Sequence, residues 1–282
     1  MILYPLIAVM VLLWSGNFIV AKIALREFPP LLLMGIRAIV AGLIILPVYL
    51  LRPRARLSRH DIARLIGIGI FGVALNQLFF VIGISSTTVA HAALMLGLTP
   101  VLVLLIAGSL KMERITVSKV AGMAVAIAGV AILQSTHTGA PSVMGDCFIF
   151  LASFTFALFT VMGKRSATQF DAITVNTFAY VGSAIALLPV TIWQARMTPL
   201  SGISVTAWCC LLYMSAFASV LCYLIYYYAI RRLSASRVST FSYLQPLLAS
   251  LMAVFWLGES LSTALVAGGA VIFTGVILVE RG

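Results

Sequence analysis

Acidic residues are the scarcest chemistry in this 282-residue chain: seven Asp and Glu against eighteen Lys and Arg, with 9% charged residues overall. Glu27, Asp61, Glu113, Asp146, Asp171, Glu259 and Glu280 all fall at or near the ends of apolar runs. No carboxylate therefore sits at mid-run, which excludes paired aspartates for Mg²⁺ and argues against a proton antiporter built on a buried acid. An HExxH motif and a buried Ser–His arrangement are also missing. Cys147, Cys209, Cys210 and Cys222 form no CxxC and lie in or beside apolar segments. They read as small core hydrophobes rather than disulfides or metal ligands. Nothing in the chain calls for a metal or a cofactor, and no enzyme is expected.

What is present is hydrocarbon: 62% hydrophobic residues and a mean hydropathy of +1.15. A soluble fold with this composition would have too little polar surface to show water. Apolar runs of about 20 residues recur, each long enough to cross ~30 Å of bilayer as a helix. Turn and charge punctuation divides them into ten spans, near 3–25, 30–51, 62–84, 89–110, 116–134, 143–164, 172–193, 207–230, 236–257 and 262–279. The opening "MILYPLIAVMVLLWSGNFIV" has no basic leader and no cleavage site, so it reads as the first span.

The basic residues gather on alternate connections. Arg52, Arg54, Arg56, Arg59 and Arg64 follow span 2, and Lys111, Arg114 and Lys119 follow span 4. Lys164 and Arg165 follow span 6, Arg231, Arg232 and Arg237 follow span 8, and Arg281 ends span 10. The other side has only Arg26 and Arg196. This bias predicts both termini in the cytoplasm. It also explains the basic balance without a nucleic-acid partner.

The chain says one thing twice. "LTPVLVLLIAGSLKMERI" at Leu98 returns as "LQPLLASLMAVFWLGESL" at Leu244, so that Pro100 answers Pro246 and Glu113 answers Glu259, 146 residues on. Gly122 and Gly129 recur as Gly268 and Gly275 at the same offset, and Phe71 as Phe217. Earlier in each copy the offset is 142, pairing Lys22 with Lys164, Phe28 with Phe170, and the "LPV" at 46–48 with that at 188–190. The copies are 1–138 and 139–282, with five spans each. An odd number of spans makes the second copy enter the membrane from the opposite side, the inverted-repeat layout of secondary transporters. The predicted fold is an all-α membrane protein of ten transmembrane helices in two inverted five-helix repeats.

"LLWSGNFIVAKIAL" followed by "FPPLLLMGIRAIVAGLIILPV" resembles the first two spans of the EamA-like family within the drug/metabolite transporter superfamily. The two endings at 98–133 and 244–278 resemble the same family, with Met112–Glu113 departing from the more usual Gly258–Glu259 pattern. The resemblance covers essentially the whole chain. It implies an inner-membrane exporter of small metabolites such as amino acids, with a central cavity between the halves. It also implies a homodimer formed through the last helix of each half. A nucleotide-sugar or phosphate-ester carrier is the alternative within transport, and an integral membrane enzyme or lipid-binding scaffold the alternative outside it.

Candidate substrate-binding residues are the polar and aromatic groups at mid-depth: Trp14, Asn17, Asn76, Gln77, Thr99, Tyr223, Tyr243 and Gln245. Gln77 and Tyr223 are partners across the repeat, as are Thr99 and Gln245. Pro100 and Pro246 each remove a helical hydrogen bond beside one of these pairs and free a carbonyl four residues back. Such amides line a pocket or stitch helices together. The Tyr226–Tyr228 run suits an interfacial belt. Arg37, about 7 residues or ~10 Å into span 2, is either an interhelical clamp or an attractor for a substrate carboxylate. Lys22 can snorkel to the headgroups. His91, near a span end, either couples export to protons or caps a helix.

Overall fold

Helix starts are written into the chain as caps. Ser58 and Asp61 form a reciprocal capping box, Thr116 Oγ1 accepts from the Lys119 amide, and Ser142 Oγ from Gly145. Asp171, Ser204 and Ser234 do the same for three later helices. The computed structural model describes residues 2–52, 57–86, 92, 95–135, 142–257 and 263–282. Among these, every regular element is a helix.

The elements in order are α1 (Leu3–Ala24), α2 (Pro30–Leu50), α3 (Arg59–Gly69), a π-helical stretch (Ile70–Leu75) and α4 (Asn76–Ser86). Then come α5 (Thr99–Ser109), α6 (Val117–Gln134), α7 (Val143–Gln169) and α8 (Ala172–Met197). α9 (Val205–Tyr213) runs through a second π stretch (Met214–Leu221) into α10 (Cys222–Arg232). α11 (Ala235–Thr240), a 3₁₀ turn (Phe241–Tyr243), α12 (Leu244–Leu257) and α13 (Thr263–Arg281) complete the chain.

Seven of these helical spans are long and apolar enough to cross a membrane, and two shorter apolar helices accompany them. The expected ninth span is not one smooth helix: α11 ends, a 3₁₀ turn intervenes, and α12 begins two residues before Pro246. Proline has no amide to give to a continuing helix, so the break falls on its N-terminal side. Pro100 likewise stands at the start of α5. Three spans run past the expected ends: Val143–Gln169, Ala172–Met197 and Val205–Arg232. Charge did not stop α7 at Lys164, because that ammonium donates to the Ile230 (2.8 Å) and Leu233 carbonyls instead of leaving for water. The boundary expected between copies at 138/139 and Glu259 lie outside the described residues.

Contacts follow a pattern of exchange. α1 packs on α9, α10 and α12, while α7 packs on α3, α4 and α5. Each copy's first helix thus leans on the third and fourth spans of the other copy. α2 lies against α8, and α6 against α13, the most extensive pairing in the molecule.

Both of these pairs run antiparallel. A Cβ on Gly122 would come 2.7 Å from the Gly275 carbonyl, and one on Gly129 would come 2.9 Å from that of Gly268. Backbones this close need glycine at all four points, and the gain is dispersion contact that lipid cannot match. In the α2–α8 pair, Gly35 meets Thr191 and Gly42 meets the Tyr180 backbone. The outward faces carry Leu43, Val120, Phe217, Phe273 and Ile277, all exposed and all apolar.

The π stretches are also matched: Ile70 and Leu75 shifted by 146 fall on Ala216 and Leu221, inside the second one. A π turn widens the helix and frees carbonyls from the regular ladder. Three such carbonyls, at or beside these stretches, take side-chain donors from other helices. Gly69 O accepts from Ser183 (2.9 Å), Ala218 O from Trp14 (2.9 Å) and Val220 O from Asn176 (3.2 Å).

Candidate substrate site

Where α1, α7, α8 and α10 converge, aromatic rings fill the middle of the molecule. The Trp14 ring, anchored by Nε1 to the Ala218 carbonyl, meets Phe156 edge-on at 6.4 Å between centroids and Tyr223 at 5.7 Å. Tyr223 is buried and also touches Phe159 (5.6 Å) and Tyr180 (5.7 Å). Tyr226 and Tyr227 join the same cluster, fully buried, and the Tyr226 hydroxyl lies 2.6 Å from that of Thr160. The belt expected at Tyr226–Tyr228 is therefore corrected for the first two. Their helix continues to Arg232, which places both rings well inside the bundle. Tyr228 alone faces a cation, with Arg232 3.6 Å over its ring.

Two amides of the first copy have an enclosed oxygen left unpaired. Asn17 Oδ1 and Gln77 Oε1 are enclosed without a hydrogen-bond donor, and Gln77 is 7% exposed. An enclosed acceptor left unsatisfied costs about 1–3 kcal/mol. Shifted by the repeat offsets, Asn17 falls on Phe159 and Gln77 on Tyr223, two residues that touch in the second copy. One copy thus places amides where the other places rings. Asn76 is committed elsewhere: its Nδ2 donates to the Ala152 carbonyl at 2.7 Å. Its repeat partner Cys222 reaches Met10 O, the equivalent carbonyl, at 3.6 Å. Asn76 thereby ties α4 to α7.

Thr99 is buried at the start of α5, and Gln245 is half-buried at the start of α12. Tyr243 is 1% exposed with an unpaired hydroxyl, but it belongs to a second apolar cluster with Met123, Leu247 and Ile272. The predicted residues accordingly divide into a Trp14–Tyr223 centre and a Tyr243 group beside the α6–α13 pair. His91 and the Lys22 side chain lie outside the described residues. Of the cysteines Cys222 is buried in the core and Cys210 packs half-buried against it; Cys147 and Cys209 are exposed, which corrects their assignment.

Arg37 is 8% exposed. Its Nε donates to Ser219 Oγ at 2.8 Å, and no carboxylate pairs with it among the described residues. The Tyr180 hydroxyl, fully buried, lies beside Ser219 and Arg37 without a well-formed hydrogen bond. Ser219, Tyr180 and Asn176 were not singled out from sequence. The usable signal was asymmetry across the repeat: Ser219 answers Val73 and Tyr180 answers Ala38.

Two carboxylates tie the copies together at opposite ends. Glu27 accepts from the Ser204 amide (2.6 Å) and hydroxyl (2.7 Å) at the start of α9. Glu113, its side chain only 5% exposed, accepts from the Ser236 amide (3.0 Å) and hydroxyl at the start of α11 and from Lys119 Nζ at 3.2 Å. Burial pushes the Glu113 carboxyl up, but the Ser236 hydrogen bonds and the Lys119 ammonium outweigh it and hold the carboxyl below its ordinary value. The backbone and hydroxyl donors of Ser204 hold Glu27 below the ordinary value as well.

A helical bundle of long apolar spans with a mostly uncharged centre is the build of a multi-pass membrane protein. The sequence model of the EamA-like transporter family matches residues 1–134 and again 143–281, and this chain belongs to that family. It is accordingly a multi-pass membrane protein and a transporter of the EamA, drug/metabolite type. An uncharacterized transporter of Archaeoglobus fulgidus is 28% identical over 97% of this chain and 95% of its own length. A protein of Streptantibioticus cattleyicolor named "Probable terminal-alkyne amino-acid exporter" is 27% identical, over 86% of this chain and 79% of its own. A solved crystal structure shares the fold with a TM-score of 0.81 at 21% identity, covering 97% of this chain and 94% of the other.

Proposed function

We propose that the chain exports a small metabolite, an amino acid or related compound, across the cytoplasmic membrane by alternating access. The moving halves are 1–138 and 139–282, inserted in opposite orientations, with both termini in the cytoplasm. The observation that carries this reading is the antiparallel crossing of equivalent helices, α2 with α8 and α6 with α13. Equivalent helices that oppose each other are what inverted insertion produces, and two such halves can rock about the centre they share. The bias of basic residues toward one set of connections supports the orientation. The named amino-acid exporter among the relatives supports the substrate class. A phosphate-ester carrier would want several cations at the centre, and among the described side chains there Arg37 stands alone.

The site assigned is Trp14, Asn17, Gln77, Thr99, Tyr223 and Gln245. The glycine faces of α6 and α13 are spent on each other, so a homodimer through these helices would use their outward Val120 and Phe273 faces. Proteoliposome counterflow with radiolabelled amino acids tests the reading. Exchange is expected to fall at least tenfold in Gln77→Ala and Gln245→Ala with unchanged melting. Normal exchange in both variants would remove the site. Cysteine labelling that puts connections 52–58 and 198–204 on one side of the membrane would remove the inverted layout.

A further inference from the structure

We infer that Arg37 recognises a carboxylate, and that the substrate class is an organic monocarboxylate, free acid or zwitterion, with an apolar body lying on the Trp14 and Tyr223 rings. This deepens the exporter reading and rests on it for the direction of transport, though not for binding.

An arginine about 10 Å into a membrane-spanning helix is expensive unless something answers its charge. Among the described residues no carboxylate does. Guanidinium offers five N–H donors in a planar fork. Arg37 spends the one on Nε, giving it to Ser219 at 2.8 Å. The two terminal nitrogens donate to no described residue and are not fully enclosed, so the fork's outer edge is uncommitted. That edge is the one that pairs with a carboxylate through two parallel hydrogen bonds. Ser219 holds the fork by its inner nitrogen and leaves the binding edge clear, as a positioning contact does. A structural clamp would use the outer edge on protein carbonyls.

The surroundings select the rest of the ligand. The Tyr180 hydroxyl is fully enclosed beside Ser219 and the same guanidinium, where it can turn from the serine to donate a third hydrogen bond to the anion. Tyr180 meets Tyr223 edge-on and Tyr223 meets Trp14 edge-on, which builds an apolar floor beside the charge. One cation, uncompensated, matches one negative charge. A phosphate ester or a dicarboxylate would bring a second charge that no described side chain here neutralises. Zwitterions remain eligible, because Asn17 Oδ1 and Gln77 Oε1 are unpaired acceptors suited to an ammonium.

The test is equilibrium binding to the full chain in proteoliposomes, read by Trp14 emission, with Trp14→Phe as the blank. The probes form a set with one body: 3-phenylpropionate, 3-phenylpropionamide, phenethylamine and phenylalanine. In the wild type the two carboxylates should bind at least tenfold tighter than the amide and the amine. Arg37→Gln should abolish that preference, Arg37→Lys should keep part of it, and Tyr180→Phe should weaken carboxylates alone, each with melting checked. Equal binding of acid and amide by the wild type would overturn the proposal. So would a preference that survives Arg37→Gln. If Arg37→Gln does not fold, a carboxylate preference unaffected by Tyr180→Phe and Arg37→Lys would overturn it equally. Carboxylate binding without counterflow would instead sink the exporter reading and leave this site standing.

Discussion

The two carboxylate ties differ in their surroundings more than in their chemistry. Glu27 and Glu113 each reach from the first copy to the first exposed amides of a second-copy helix, where the helix dipole favours a negative charge. Ser204 and Leu233 bracket the 28-residue span Val205–Arg232, so the two ties lie roughly 40 Å apart by helical rise. Glu27 is exposed and has no described basic partner, so water can replace its bonds at little cost. Glu113 is enclosed with Lys119, itself 8% exposed at the side chain, and Lys164 grips the carbonyl end of α10 nearby. One end of the molecule is tied by bonds that water can exchange, the other by an ion pair shut away from it.

Breaking the enclosed tie should therefore have the largest effect. Glu113→Ala leaves Lys119 buried and unanswered and should cost roughly 3 kcal/mol, read as a lowered melting temperature in detergent. Adding Lys119→Met should restore part of the loss; strictly additive losses would show that the pair is not coupled. Removing only the hydroxyl, in Ser236→Ala, should cost about 1 kcal/mol, since the backbone amide still donates.

Acid sharpens the contrast next. Because the Glu113 carboxyl is held below its ordinary value in the folded state, its stabilisation is complete above that value and drains away as pH falls through the lowered one. The melting difference between wild type and Glu113→Gln should be wide at about pH 7 and narrow only once the pH falls below the ordinary carboxyl value toward the lowered one. A gap that stays constant would place the Glu113 effect outside its charge. The smallest effect belongs to Glu27→Gln, which should leave melting unchanged and only quicken hydrogen exchange at the Ser204–Ala207 amides. A large melting loss there would erase the asymmetry.

Much of this architecture could be read from residue spacing. The repeat offsets of 142 and 146 carried the equivalences, and the glycines at 122, 129, 268 and 275 turned out to mark one antiparallel seam. The caps and both proline breaks were equally legible, since each follows from local chemistry. The π stretches were not, because no residue type specifies them: "IFGVAL" and "MSAFASVL" read as ordinary apolar helix. Tyr226 and Tyr227 were misplaced because Arg231 was taken as the end of hydrocarbon, whereas α10 carries both rings inside before reaching it. Arg37 was legible by depth, but Ser219 and Tyr180 were not, since a serine and a tyrosine in an apolar run announce nothing alone. What sequence cannot supply is which polar atoms end without partners; Asn17 and Asn76 look alike on paper, and only one is satisfied.

The matched π stretches give the third span of each copy a built-in spare residue. An α-helix turns about 100° per residue, so a one-residue deletion within Ile70–Leu75 could be absorbed by rewinding while everything beyond keeps its length. Gln77 would then keep the face it now shows, as Tyr223 would for a deletion in the second stretch, whereas the same deletion in a plain α-helix would turn them by about 100°. The amide and ring faces of the centre are thus indexed by a miscount in the winding, and a duplication that copied the miscount kept the two indices in step.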